Sequence, residues 1–364
     1  MRKKTLSFFL IVLALLVACA FLPGYAVEAD EITLKSETAV LMDGETGQVL
    51  FEKDMYRRMF PASITKIMTA LLALENGKLD DVITMSRDAV FSIGRGTSHV
   101  ALDADEELTL EEALYAIALA SANDAANGIA ELIGKTMEGF ATMMNGRAKQ
   151  AGALDTNFTN AHGLFDEDHY TTAYDMARIT MAAIENPVFT KIFSSLLYEM
   201  PPTNKQPETR TFRCTNAMLS GKNKYEGVIA SKTGWVNQSG NTLMAAARRD
   251  GRTLIAVVMQ ATGKADACED VTALLEYGFS QPVEVRETET QAETVPAVAY
   301  SAEQTDMVSA ASRIFWVLGT LSVLPLFLLI RRYVIMKRHC KRKLVPYAMV
   351  PMKKGWRLWY WYIF

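Results

Sequence analysis

Short apolar runs separated by polar turns lie at the start and at the end of the central part of the chain, called here the body. Residues 39–42 and 48–51 are mostly apolar and flank the turn-forming residues 43–47 (DGETG), which predicts a β-hairpin. Towards the other end, three more apolar runs predict strands, the last two joined across residues 249–252. These strands cover residues 228–232, 242–248 and 253–259.

Helical patterns fill the stretch between the two groups of strands. Pro61 precedes a run of good helix formers that extends to Glu75. Residues 109–112 (TLEE) form a capping-box pattern that begins the next helix. The remaining helices are predicted over residues 110–120, 125–133, 137–150, 172–185 and 266–277. This order of elements predicts an α+β fold, with an antiparallel sheet flanked by helices and an inserted helical subdomain.

Two longer apolar stretches lie outside this body. Residues 1–26 have the basic start, apolar centre and small residues of a secretory signal peptide, with cleavage expected after Ala26. Residues 16–19 (LVAC) also fit a lipidation site at Cys19, and an uncleaved signal anchor is a third alternative. The rest divides into a folded domain at 30–280, a linker at 281–306, a single transmembrane helix at 307–330 and a tail at 331–364.

The charge distribution orients the predicted membrane helix. Residues 331–364 carry ten Lys and Arg and no Asp or Glu, so the positive-inside rule places this tail in the cytoplasm and the body outside the cell membrane. Removing those ten charges and three more in residues 2–4 from the formal −3 leaves −16 for residues 5–330. An acidic body excludes a uniformly basic nucleic-acid binder, so membrane lipid and not nucleic acid is the expected partner of the ends.

Two cysteines, Cys214 and Cys268, belong to the body. They lack the close C-x-x-C spacing of a metal site. A disulfide between them and two free thiols both remain open.

Ser63 and Lys66 carry the first indication of chemistry. Both lie near the start of the predicted helix, three residues apart and therefore on one face. A buried lysine favours its neutral form and can take the proton of a serine hydroxyl, while the helix start supplies N–H groups for an oxyanion. The alternative for this stretch alone is a serine cap followed by an exposed lysine.

Two further patterns follow in a fixed order. The triple consists of S-x-x-K at Ser63 and Lys66, S-x-N at Ser121 and Asn123, and K-T-G at residues 232–234. S-x-x-K and K-T-G each occur once in the chain. Each pattern alone is weak, but the ordered set resembles the active-site triple of penicillin-recognising serine enzymes.

The resemblance extends from about residue 39 to residue 279. Over this range the chain is similar to the catalytic domain of the D-alanyl-D-alanine carboxypeptidases, the serine-type low-molecular-mass penicillin-binding proteins. The stretches that carry the similarity are 43–47 (DGETG), 61–69 (PASITKIMT), 121–126 (SANDAA), 144–145 (MN), 162–164 (HGL), 169–173 (HYTTA) and 232–235 (KTGW). The resemblance implies the penicillin-binding-protein and serine β-lactamase-like fold.

The resemblance also implies a reaction. Ser63 would attack the penultimate D-Ala carbonyl of a peptidoglycan stem ending D-Ala-D-Ala, and Lys66 would accept its proton. Ser121 would relay a proton to the departing D-Ala, and Asn123 would bind the substrate backbone and hold Lys66. β-Lactams would acylate the same serine, and no metal or cofactor is implied.

The third pattern is expected to bind the end of the substrate. Lys232 and Thr233 would hold the terminal carboxylate, and Gly234 would let the substrate lie close to the strand. The backbone N–H groups of Ser63 and Trp235 would form the oxyanion hole. His162 and His169 match family positions but are expected to hold loop structure.

Four alternatives compete with this interpretation. A muropeptide endopeptidase would use the same residues on a cross-linked D-Ala. A class A-like β-lactamase would need a carboxylate for its deacylating water, and no E-x-x-L-N pattern lies between Asn123 and Lys232. A β-lactam sensor would need a longer cytoplasmic domain than residues 331–364. A Ser-His-Asp hydrolase is disfavoured because no G-x-S-x-G elbow is present.

Overall fold

A five-stranded antiparallel sheet organises the computed structural model, which describes residues 32–94 and 96–282. The strand order is β2-β1-β9-β8-β7, and two small hairpin sheets pair β3 with β4 and β5 with β6. The strands are β1 Thr38–Asp43, β2 Val49–Lys53, β3 Val82–Thr84, β4 Glu107–Thr109, β5 Leu197–Met200, β6 Arg210–Arg213, β7 Val228–Val236, β8 Gly240–Arg249 and β9 Arg252–Ala261.

Eight α-helices accompany these strands in the described part of the chain. They are α1 Lys66–Asn76, α2 Arg87–Phe91, α3 Leu110–Leu119, α4 Asn123–Gly134, α5 Met137–Gln150, α6 Ala173–Ile184, α7 Pro187–Phe193 and α8 Lys264–Ser280. The helical block lies between β2 and β7 in sequence, so the predicted α+β order is confirmed. None of the described helices has the length and hydropathy needed to cross a membrane, and the predicted helix at 307–330 lies outside the described residues.

The long hairpin of β8 and β9 shows how local sequence determines strand pairing. Its turn residues Asp250 and Gly251 have φ of 51° and 80°, which matches the twist of the flanking strands in a two-residue turn. Arg249 lies opposite Arg252, and the pairing continues to Asn241 opposite Ala261. The predicted hairpin is therefore confirmed, with strands longer than predicted.

Both faces of the sheet are buried, and each contributes to a separate core. On one face, Leu243 and Leu254 pack with Leu274 from α8. On the other face, Met244 and Val257 pack with the helical block. Successive strand residues point to opposite faces, so alternate positions of the same strand serve the two cores.

Helix α1 runs through the middle of the helical block. Its first eight residues, 66–73, are all buried, and it contacts α3, α4, α5, α6 and α7. A helix that is enclosed on all sides has little room for polar groups. Lys66 and Thr69 are the polar side chains in this buried run, and Thr69 satisfies its hydroxyl on the carbonyl of Ala161 at 2.6 Å.

Several elements differ from the sequence-based expectation, and β3, β4 and α2 are among those not predicted. Strand β7 continues through Val236, although the predicted strand ended at Lys232. Pro187 ends the pattern of α6 but also begins α7, because proline is tolerated at the first helical position, where its missing N–H has no helical partner. The hairpin of β5 and β6 was not predicted, because its strands have only four residues each and little alternation.

Candidate active site

Ser63 lies in a strained turn immediately before α1. Residues Ala62–Thr65 form a 3-10 turn, called here the Ser63 turn, and Ala62 has a φ of +50°. This left-handed conformation costs a non-glycine residue about 1 kcal/mol. Neighbouring segments fix the turn: the hydroxyl of Thr242 donates to the carbonyl of Pro61 at 2.9 Å, and the backbone of Gly163 presses against Ala62.

The amine of Lys66 is completely buried beside this serine. Its Nζ lies 3.1 Å from Ser63 Oγ, 2.7 Å from Asn123 Oδ1 and 2.7 Å from the carbonyl oxygen of His162. Burial, followed by the positive charge of Lys232, holds the pKa of Lys66 well below its usual range, with Asp124 opposing. The amine is therefore held towards its neutral form.

The three neighbours of the Lys66 amine match the bonding capacity of that neutral form. A neutral amine has two N–H donors and one lone pair. The oxygens of Asn123 and His162 can only accept, so they take the two donors. The lone pair is then left for the hydroxyl of Ser63, which is the direction of proton transfer that would make the serine a nucleophile.

Ser121 and Lys232 form a second pair across the cleft. Lys232 Nζ donates to Ser121 Oγ at 3.0 Å and to the carbonyl of Thr233 at 2.9 Å. Burial lowers the pKa of Lys232 to about 8, with Cys214 opposing. Since an ammonium has three donors, the protonated side chain keeps one for a ligand. Ser121 has a φ of +57°, so this break between α3 and α4 is also strained.

Glycine is required at residue 234 by close packing within the protein, and not only by the room for substrate that was expected. A Cβ built on it would lie 2.5 Å from Thr242 Oγ1 and 2.7 Å from the backbone nitrogen of Ser63. The missing side chain thus lets β7 run directly against the Ser63 turn. This packing explains why the strand continues beyond Lys232 and brings the Trp235 segment beside Ser63.

The loop of residues 162–164 contributes a group that the sequence reasoning did not assign. The carbonyl of His162 binds the Lys66 amine, and Gly163 has a φ of +85°. A Cβ on Gly163 would lie 1.9 Å from the carbonyl oxygen of Ala62. The sequence feature that could have indicated this contact is Gly163 itself, because a residue whose backbone approaches another backbone this closely cannot carry a side chain.

The two histidines have structural partners, as predicted. Nδ1 of His169 accepts from the N–H of Thr159 at 3.0 Å, so its Nε2 carries the proton and donates to Thr65 Oγ1 at 2.9 Å. Burial lowers the pKa of His169 to about 4 and that of His162 to about 3. Both rings are therefore neutral at pH 7.

A cleft of about 570 Å³ opens over Ser63. Its lining contains Ser121, Thr233 and Trp235, and the indole of Trp235 is 57% exposed at the rim. No described acidic side chain lines the cleft. The site therefore combines a serine hydroxyl, a neutral amine and a cation beside a cleft without a described acidic side chain in its lining.

Comparison with known proteins agrees with this arrangement. The family model for D-alanyl-D-alanine carboxypeptidase, peptidase family S11, matches residues 25–263. A D-alanyl-D-alanine carboxypeptidase of Bacillus subtilis, DacF, is 35% identical over 286 residues, covering 77% of this chain and 72% of DacF. The chain belongs to the D-alanyl-D-alanine carboxypeptidase family.

Solved structures of related proteins share the fold of this family member. The crystal structure of the Streptomyces K15 DD-transpeptidase matches with a TM-score of 0.64 and 28% identity, covering 69% of this chain and 99% of that one. A D-alanyl-D-alanine carboxypeptidase from Mycobacterium tuberculosis H37Rv also matches with a TM-score of 0.64, at 27% identity, covering 70% and 94%. The penicillin-binding-protein and β-lactamase-like fold is thereby confirmed.

The two body cysteines of this D-alanyl-D-alanine carboxypeptidase family member are free thiols. Cys268 is buried against the sheet, and burial raises the pKa of both thiols. The alternative of a disulfide between them is therefore wrong.

Substitution of Gly234 directly tests the close approach between β7 and the Ser63 turn. We expect Gly234→Ala to displace the strand and to slow acylation of Ser63 by a fluorescent penicillin at least about tenfold, the effect of misplacing reacting groups by a fraction of an ångström. Gly146→Ala is the matched control, because a Cβ there meets nothing within 4 Å. Equal acylation rates for both variants would contradict this role of Gly234.

Proposed function

We propose that this chain is a serine-type D-Ala-D-Ala carboxypeptidase that removes the terminal D-Ala from peptidoglycan pentapeptide stems through an acyl-enzyme. The main observation in support of this proposal is the environment of the buried Lys66 amine. Carbonyl oxygens occupy its two N–H donors, and its third neighbour is Ser63 Oγ at 3.1 Å. This geometry supports proton transfer from the serine to the lysine.

In the first step, Ser63 Oγ attacks the carbonyl carbon of the penultimate D-Ala and its proton passes to Lys66 Nζ. The carbonyl oxygen becomes an oxyanion, which the N–H groups of Ser63 and Trp235 stabilise. The carbon–nitrogen bond then breaks, and the departing amine of D-Ala receives a proton through Ser121. Water finally hydrolyses the ester and regenerates the hydroxyl of Ser63.

The terminal carboxylate of the substrate is bound at the beginning of the K-T-G segment. The protonated Lys232 amine has one donor left after Ser121 and the Thr233 carbonyl, and Thr233 adds its hydroxyl. Asn123 holds Lys66 with its amide oxygen and leaves its amide N–H groups for the substrate backbone. A β-lactam presents a carboxylate and a reactive carbonyl to the same groups, so it acylates Ser63 as well.

The lining of the cleft favours a peptidase over a β-lactamase. A β-lactamase must activate water against its penicilloyl ester, and the described residues place no carboxylate in the cleft for that purpose. A muropeptide endopeptidase would use the same groups, because both reactions begin with attack on the carbonyl of a D-Ala. The carboxypeptidase is preferred because Lys232 and Thr233 suit a free terminal carboxylate.

We also propose that the catalytic domain faces the cell wall from the outer side of the cell membrane. The signal peptide at 1–26, the apolar residues 307–330 and the basic residues 331–364 support this arrangement. The linker at 281–306 would join the domain to the membrane helix.

Substitution of the nucleophile tests the proposed reaction. We expect Ser63→Ala to abolish both the release of free D-Ala from a pentapeptide muropeptide, followed by mass spectrometry, and covalent labelling by a fluorescent penicillin. Ser280→Ala, at the exposed end of α8, should retain both activities. Labelling that persists in Ser63→Ala would refute the assignment of the nucleophile.

The pKa of Lys232 predicts the alkaline limit of the reaction. Only the protonated amine binds a carboxylate strongly, so kcat/KM for the pentapeptide should fall as the pH rises through about 8. Lys232→Arg keeps its charge above that pH, so the alkaline fall should disappear even if the maximum rate is lower. An unchanged alkaline limb in Lys232→Arg would show that another group titrates.

Membrane attachment can be tested by truncation. When expressed in a bacterium, the full chain should fractionate with membranes, and a chain ending at residue 306 should be released into the soluble extracytoplasmic fraction. If the shortened chain stays with the membrane and Cys19→Ala releases it, lipidation at Cys19 is the anchor and the membrane helix is not required.

A further inference from the structure

The cleft continues beyond the proposed reaction centre to the first turn of α8. Trp235 lies opposite Asn241 in the sheet, and Asn241 lies opposite Ala261, three residues before α8 begins at Lys264. Asn241 and Lys264 both line the same cleft as Ser63. The end of β7 and the start of α8 therefore form one continuous extension of the site.

The amine of Lys264 is a cation without a partner in the described part of the chain. It makes no ion pair or hydrogen bond to any residue of 32–94 or 96–282, and its side chain is exposed. The acidic residue in the same helical turn, Asp266, is already bound by Lys35 Nζ at 2.7 Å and by the hydroxyl of Thr262. The helix start adds partial positive charge, so the extension attracts an anion.

Asn241 provides a second polar group in this extension. Its side chain is only 8% exposed, and its Nδ2 donates to the carbonyl of Ala261 at 3.4 Å. No described residue donates to its Oδ1, and the residue lines the cleft. Because Asn241 lines the cleft, its amide oxygen is open to accept a hydrogen bond from a ligand with an N–H group.

The wall between these two polar groups is apolar. Leu243 and Ala267 line the floor and are almost completely buried, while the ring of Trp235 forms the rim. A ligand that fits must therefore combine a short hydrocarbon chain with an anionic group and an N–H donor at its end. A side chain that ends in both a carboxylate and an amine has this composition.

The direction of the substrate identifies which side chain reaches the extension. In the proposed function the terminal carboxylate lies at Lys232 and Thr233, and the reacting carbonyl lies at the N–H of Trp235. Strand residues advance by about 3.3 Å each, so the acyl part of the peptide continues past Trp235 into the part of the cleft that Lys264 also lines. The first long side chain on that part belongs to the residue that precedes D-Ala-D-Ala.

We infer that Lys264 is a specificity-determining residue that binds a free carboxylate on the side chain of the residue preceding D-Ala-D-Ala, while Asn241 Oδ1 accepts from the amine beside it. The inference rests on the proposed function, because it uses the substrate direction given above. The enzyme therefore prefers stems whose third residue is a diamino acid with a free carboxylate over stems in which that group is amidated or absent.

Three synthetic pentapeptides that differ only at the third residue test this preference on the full-length enzyme. The third residue is a diaminopimelic acid, its side-chain carboxamide or lysine. We expect Lys264→Gln to lower kcat/KM for the free-carboxylate peptide about tenfold, mainly through KM, since one charge-assisted hydrogen bond is lost. The other two peptides should change by less than about twofold, and Lys264→Glu should favour the lysine peptide.

Two controls separate recognition from folding and net charge. Acylation by penicillin, which has no third residue, should proceed at the unsubstituted rate in Lys264→Gln. Lys205→Gln removes an equal charge at an exposed residue outside the cleft and should leave all three peptides unchanged.

The possible results distinguish this inference from the proposed function. Equal losses on all three peptides, or slower penicillin acylation, would show that Lys264 acts on the terminal carboxylate or on the fold, and would overturn the inference. D-Ala release that is indifferent to Lys264 would overturn the inference alone. If the unsubstituted enzyme releases no D-Ala from any of the peptides, the proposed function fails, and the inference fails with it.

Discussion

The removal of one lysine amine from water is the constraint on which the rest of the site depends. Lys66 begins a helix whose first eight residues are buried, so its amine cannot reach solvent. Holding a charged ammonium there would be expensive, and the protein instead lowers the pKa of Lys66 and supplies two carbonyl oxygens for its N–H groups. The same packing that makes α1 the centre of the helical core thus holds an amine in its neutral form beside Ser63.

Close backbone contacts bring the other groups to this amine. Gly163 and Gly234 approach the Ser63 turn from two sides, and neither position has room for a side chain. The turn is held with Ala62 in a left-handed conformation, and Ser121 adopts another at the break between α3 and α4. Strain of this kind persists only where the surroundings fix it, so the two stressed positions are stabilised by the cores that surround them.

The electrostatics of the cleft differ from those of the rest of the body. Residues 5–330 carry a formal charge of −16, yet the cleft has no acidic lining among the described residues and contains Lys264, with Lys232 just behind it. Fixed positive groups in a partly enclosed pocket concentrate anionic ligands. Because Lys264 is exposed and Lys232 is buried, salt screens the charge of Lys264 more strongly than that of Lys232.

The sequence by itself determined the α+β order, the long hairpin at Asp250-Gly251, the capping box at Thr109 and the ordered triple that carries the resemblance. These features depend on local periodicity and turn chemistry, which short stretches encode. Only the tertiary structure decided that the carbonyl of His162 binds Lys66 and that Gly234 is required by packing on the Ser63 turn. It also joined Lys264 to the cleft. Those relations unite residues dozens to hundreds of positions apart, and burial and backbone approach at such distances follow from the packing of the whole domain.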